Sequence, residues 1–120
     1  MSSERGSAVV EFAIVLPLVL LLVLAMVEVA VVARAQLEVM NAAREGAREA
    51  ATSPDPARAV AAAKAALGRG GSVARVSVSR PHVVGEQAAV TVRLTHRVAS
   101  PLLGGFVIEL TGRAAMRVEA

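Results

Sequence analysis

From Phe12 to Val27 the chain carries no charge, and from Phe12 to Ala33 its only charge is Glu28. That run limits what the first third can become. An α-helix that crosses the hydrocarbon core of a bilayer needs about 20 mostly apolar residues at ~1.5 Å each. Residues 7–33 meet that need and read as a membrane segment or a targeting signal. Residues 1–6, "MSSERG", are short and polar. Pro17 falls inside the run. A mid-helix proline loses one backbone hydrogen bond and bends the axis, which membrane helices tolerate.

Nothing in the sequence stops the helix at Ala33. Residues 34–52 are rich in good helix formers. Leu37, Met40, Ala43, Ala47 and Ala50 recur every three to four residues, which predicts one apolar stripe. Glu45 and Arg48 are spaced to pair on its flank. Ala43, Gly46 and Ala47 are small, so a second backbone can approach there, and glycine in a helix interior otherwise costs ~1 kcal/mol. "TSPDP" ends this helix, because residues before proline leave the helical region. Asp55 then reads as an N-cap and Pro56 as the first residue of a second helix, which "GRGG" terminates, so 53–71 is linker plus helix.

Residues 72–120 read as strands. Val76 and Val78, then Val90, Val92 and Leu94, then Phe106, Ile108 and Leu110 alternate with polar residues. Alternation of period two predicts a sheet buried on one face. The third strand is expected to lose register at Gly112, where a bulge would fit. "PHVVGEQ" and "SPLLGG" are turn-like links. The predicted fold class is α+β: a long N-terminal helix, membrane-spanning and then amphipathic, packed on a small antiparallel sheet.

The composition removes several functions. Cysteine is absent, so disulfides, thiolate metal sites and cysteine nucleophiles are excluded. His82 and His96 follow no metal-ligand spacing, and His96, beside Arg97, reads as a surface or edge histidine. "GRGG" lacks the lysine and hydroxyl residue of a phosphate-binding loop. The expectation is a protein that is not an enzyme and holds no metal or cofactor. The net charge of +3 comes from arginines after residue 33, with Lys64 the only lysine. Arg75, Arg80, Arg93, Arg97, Arg113 and Arg117 fall two to a strand, forming a basic outer face that is either merely solvated or meets an anionic surface or partner subunit. With no Trp or Tyr, and only Phe12 and Phe106, the chain lacks the stacking residues of a nucleic-acid surface.

Three fates are open to the N-terminus. It is a plain, uncleaved membrane anchor, or a secretory signal cut after Ala35 at the small-x-small "ARA" to release a secreted basic protein, or a leader cut before the apolar run. Glu11 and Glu28 sit badly in a secretory signal, and its apolar region would be too long. In the third case Gly6 precedes Ser7, and Glu11 becomes the fifth residue of the cut chain, followed by Phe12.

Here the sequence resembles the type IV prepilins, and more fully the TadE-like family of pseudopilins or minor pilins from tight-adherence (Flp-type) pilus systems. The resemblance rests on "RGSAVVEFAIVLPLVLLLVLAMVEVA", "AAREGAREAA" and "LTGRAAMRVE". It implies a pilin-like fold with a leader at 1–6, and a prepilin peptidase that cuts between Gly6 and Ser7 on the cytoplasmic side. It also implies that Glu11 meets the N-terminal amine of a neighbouring pilin subunit, with Phe12 beside it. A desolvated carboxylate is tolerable only when paired, though Glu11 at the headgroup level could instead snorkel to water. Glu28 is placed near the opposite membrane face. The resemblance further implies a single-pass protein of the cytoplasmic membrane, N-terminus inside and sheet outside, that contributes to pilus assembly, adhesion or secretion. Arg34, Arg44 and Arg48 against Arg5 favour the reverse orientation by charge, a rule that long exported domains largely escape.

Overall fold

The structure, a computed structural model, describes residues 2–98 and 105–119. Met1 of the expected leader and all of the "SPLLGG" link except Gly105 lie outside the described residues. The chain divides into two compact units, residues 1–31 and 32–120.

A single helix, α1 (Ser2–Thr52), supplies the first unit and the start of the second. In the first unit its large apolar side chains are exposed on every side, among them Val9, Phe12, Ile14, Leu18, Leu20 and Leu22. The helix is long and apolar enough to cross a membrane, and none of its most apolar stretch is buried within the molecule. A helix apolar all round calls for lipid or other chains around it. These features are consistent with a single-pass membrane anchor. Ser2 to Gly6 are already helical, so no break in secondary structure marks the leader.

The second unit stacks helices on a sheet. After α1 come α2 (Pro56–Leu67), a short 3-10 turn (Gly68–Ser72), and the strands β1 (Arg75–Ser79), β2 (Gln87–Val98) and β3 (Phe106–Arg117). The strands form an antiparallel sheet in the order β1-β2-β3. Ala88, Val90 and Val92 of β2 and Leu110 of β3 are buried on the inner face, with Val76, Val78, Leu94, Ile108 and Ala114 packed at its margins. The small residues Ala42, Ala43, Ala47 and Ala50 of α1 and Ala59 and Ala63 of α2 complete the core. The fold is therefore α+β, a long apolar N-terminal helix with a three-stranded antiparallel sheet packed on its second half.

The buried line of α1 differs from the expected stripe. Leu37 is 67% exposed, and Val39 is fully buried instead. A helix advances about 100° per residue, so each step of three falls about 60° short of a full turn. Counting back from Ala50 in steps averaging 3.6, the buried face passes Ala43 and reaches Val39, Ala35 and Val32, not Leu37.

Gly112 is also not where the register slips. β2 and β3 pair without interruption from Gln87↔Arg117 to Val98↔Phe106, and Gly112 faces Val92. Its even number puts it on the inner face with Leu110 and Ala114, where α1 passes close. A Cβ on Gly112 would lie 2.8 Å from Val39 O and 3.0 Å from Met40 Cα. His96, expected at the surface or edge, is half-buried and shares the inward parity of Leu94 and Val98.

The ends of the helices are tied down. Asp55 caps α2, its Oδ1 accepting from Ala57 N at 3.0 Å, and Pro56 opens the helix. At the C-terminus of α1, Ala50 O accepts from Arg80 Nε at 2.7 Å and Ala51 O accepts from Glu119 N at 2.9 Å. These bonds satisfy carbonyls that no helical N–H can reach. Arg80 follows β1 and belongs to this capping contact, so the expected pairing of arginines two to a strand leaves it out.

Candidate processing and assembly site

Gly6, Ser7, Glu11 and Phe12 occupy successive turns near the start of α1. All four are exposed, Phe12 among the large apolar side chains that cover nothing of their own chain. Ser7 and Glu11 are four apart, which sets them one turn from each other on the same helix face. Among the described residues no cation comes within ion-pair distance of Glu11. Two of the arginines that follow the apolar run do pair, Arg34 with Glu38 at 3.4 Å and Arg48 with Glu45 at 3.3 Å.

A Cβ at Gly6 would meet nothing within 4 Å. Gly6→Val should therefore leave α1 intact, since valine is a better helix former than glycine. If a peptidase reads this position, the same change should block cutting, visible as retention of the leader on a gel or by mass. Cutting of the valine variant at the wild-type rate would show that Gly6 is not read.

The close-packing residues Ala43, Gly46 and Ala47 lie elsewhere, and their space is filled from within the chain. A Cβ on Gly46 would come 2.9 Å from Val90 Cγ1, 3.1 Å from Ala63 Cβ and 3.4 Å from Ala59 O. α1, α2 and β2 thus converge on one glycine, leaving no room there for a second molecule's helix.

The outer face of the sheet carries Arg75, Arg93, Arg97, Arg113 and Arg117, all exposed. Arg75 stands directly opposite Arg93, an arrangement of like charges that costs stability. The only ion pair on this face among the described residues is Arg93–Glu109 at 3.8 Å, too exposed to contribute much. No group of three or more metal-ligating side chains occurs among the described residues.

An apolar helix with an acid in its third turn precedes a small α+β unit in the chain, an order of elements consistent with a single-pass membrane anchor. A family model described as TadE-like protein matches residues 6–48, the stretch from Gly6 through the small-residue part of α1, so this segment is TadE-like. Comparison with curated proteins and with solved structures gave no match. The sheet, Ala59, Ala63 and the arginine face all fall beyond the matched residues.

Proposed function

We propose that this chain is a minor pilin or pseudopilin of a tight-adherence pilus, cut by a prepilin peptidase between Gly6 and Ser7 and working by assembly, not catalysis. One observation carries the proposal: the family match begins at Gly6 and takes in Ser7, Glu11 and the apolar helix that covers nothing of its own chain. In this reading the N-terminus lies in the cytoplasm, and the sheet unit lies outside the cytoplasmic membrane or in the extracellular fibre.

Processing changes what surrounds Glu11. In the uncut chain Glu11 follows nine helical residues, well inside α1. Once the bond after Gly6 is broken, the helix begins at Ser7, and its positive end and a free amine arrive one turn from the carboxylate. A neighbour's amine can then pair with Glu11 as the helices bundle, which relieves the cost of holding either charge in lipid. Before the cut that amine does not exist, so cleavage licenses assembly.

Release at Ala35 fits the second unit less well. Ala35 is packed against the core, and Gln36 Nε2 donates to Thr111 O at 2.9 Å, so that cut would fall inside a packed part of α1. The proposal is tested by expressing a C-terminally tagged chain with its pilus system and following it into sheared fibres and mildly solubilised membranes. It should co-purify with other pilin subunits in at least one fraction. Recovery free of pilin subunits in both would sink the proposal.

A further inference from the structure

The outer face of the sheet has no role in the function proposed so far, and its charge is left unbalanced. β1, β2 and β3 together carry five arginines and one acid, Glu109. Arg75, Arg93, Arg97, Arg113 and Arg117 share one parity, which puts them on the face away from Val90, Val92 and Leu110. On the helices of the same unit, arginines meet carboxylates. Arg34 lies 3.4 Å from Glu38, Arg48 3.3 Å from Glu45, and Arg58 3.4 Å from Glu49. On the sheet only Arg93 has such a partner among the described residues, Glu109 at 3.8 Å.

The register sets out these charges. Arg75 stands opposite Arg93, and Arg93 pairs with Thr111, so Arg113 is its diagonal neighbour. Opposite side chains start about 5 Å apart and diagonal ones about 7–8 Å, so Arg93 stands between two like charges. Arg97 and Arg117 extend the row. Arg117 pairs with Gln87, which places it about 34 Å along the strands from Arg97. Three strands are only about 10 Å across. The hydroxyls of Ser77, Thr91, Thr95 and Thr111 share the outward parity and lie among the arginines. Among the described residues the one large apolar side chain on this face is Val107, at one end, and the face has no aromatic.

A long, narrow, cationic strip lined with hydroxyls selects its partner. A folded protein would want apolar or aromatic anchors, and unpaired bases would want rings to stack on; the strip offers neither. It fits a single unbranched chain that carries carboxylates among hydroxyls. Guanidinium forks take a carboxylate through two parallel bonds, and Ser and Thr hydroxyls bond those of a sugar.

We propose that the outer face of β1, β2 and β3 binds an acidic polysaccharide, a linear polymer of uronic-acid sugars lying along the strands across Arg75, Arg93 and Arg113. The site belongs to the sheet unit alone. Its use by a pilus rests on the reading that this unit lies outside the cytoplasmic membrane. Binding requires no cut at Gly6, so failure of one reading leaves the other standing.

Full-length protein in a neutral detergent is titrated into labelled polygalacturonate at about 0.1 M salt, where exposed charges still act over about 10 Å. Polygalacturonate should bind and neutral dextran should not. Arg75→Gln with Arg113→Gln should weaken binding about tenfold or more, the usual cost of losing charge-assisted hydrogen bonds. The slope of log affinity on log salt should fall by roughly one for each arginine removed. This pair leaves Arg93–Glu109 in place and relieves the repulsion between Arg75 and Arg93, so the sheet should keep its fold. Arg44→Gln with Arg69→Gln removes the same charge from exposed positions off the sheet and should leave binding nearly unchanged. Glu109→Gln should tighten binding, a gain that misfolding cannot imitate.

No binding of polygalacturonate, or equal losses in the two double variants, refutes the site. Tighter binding of polyglutamate or duplex DNA at equal charge, lost in Arg75→Gln with Arg113→Gln, would give the face to an acidic peptide or a nucleic acid. Either result overturns the polysaccharide.

Discussion

Gly112→Val should cost the second unit at least the ~1–3 kcal/mol typical of forcing extra methylenes into a packed core. The atoms a side chain would meet are Val39 O, Val39 C and Met40 Cα, all helix backbone. They cannot turn aside as a side chain can. The strand cannot retreat either, because Gly112 sits in the middle of an unbroken ladder with β2. The helix is held to the same strand by Gln36 and beyond it by Glu119. Relief requires lifting α1 off the sheet, which uncovers Val39, Val90 and Val92, the largest fully buried side chains. Hydrogen exchange of the β2 amides in detergent-solubilised protein should show lost protection. Gly46→Ala should cost less, since its nearest neighbours are the methyls of Val90 and Ala63, and alanine recovers up to ~1 kcal/mol of helix propensity. Equal losses at both positions would mean that backbone proximity is not what governs Gly112.

Glu11→Leu should leave membrane insertion intact and remove assembly. Leucine is easier to place in lipid than a carboxylate, so the anchor is if anything stronger. The neighbour's amine, however, loses its partner. Breaking one side of a buried ion pair costs ~3–5 kcal/mol, roughly a hundredfold or more in a pairing equilibrium. The ratio of subunit in fibres or pilin complexes to subunit in the membrane pool should fall accordingly. Glu28→Leu, near the far end of the apolar run, serves as the comparison for loss of an acid alone. Undiminished incorporation of Glu11→Leu would show that the carboxylate does not pair with an amine.

Much of the fold can be read from residue periodicity. The uncharged run, the "SPDP" break with Asp55 as cap, and the alternation of Val90, Val92 and Leu94 each have a local cause, and local causes survive folding. The misses concern contacts between distant segments. Leu37 was expected inside because steps of three look regular in sequence, yet the sheet selects a line of period 3.6. Gly112 looked like a break because glycine interrupts a run of large side chains, although its parity with Leu110 and Ala114 already placed it inward. The role of Arg80 in capping α1, thirty residues earlier, has no sequence signal. At the candidate site, Gly6 and Glu11 stand out only through their spacing around a prospective cut. In the proposed reading their partners are other molecules, and the fold of the single chain adds exposure and helical phase and no contact.

The most direct test is the N-terminus of the mature protein. The chain is co-expressed with an active prepilin peptidase, extracted from membranes, and its intact mass and terminal residue are determined. Pilin processing predicts loss of "MSSERG" and a free amine on Ser7. Retention of those six residues beside an active peptidase, or a terminus at Gln36, would contradict it.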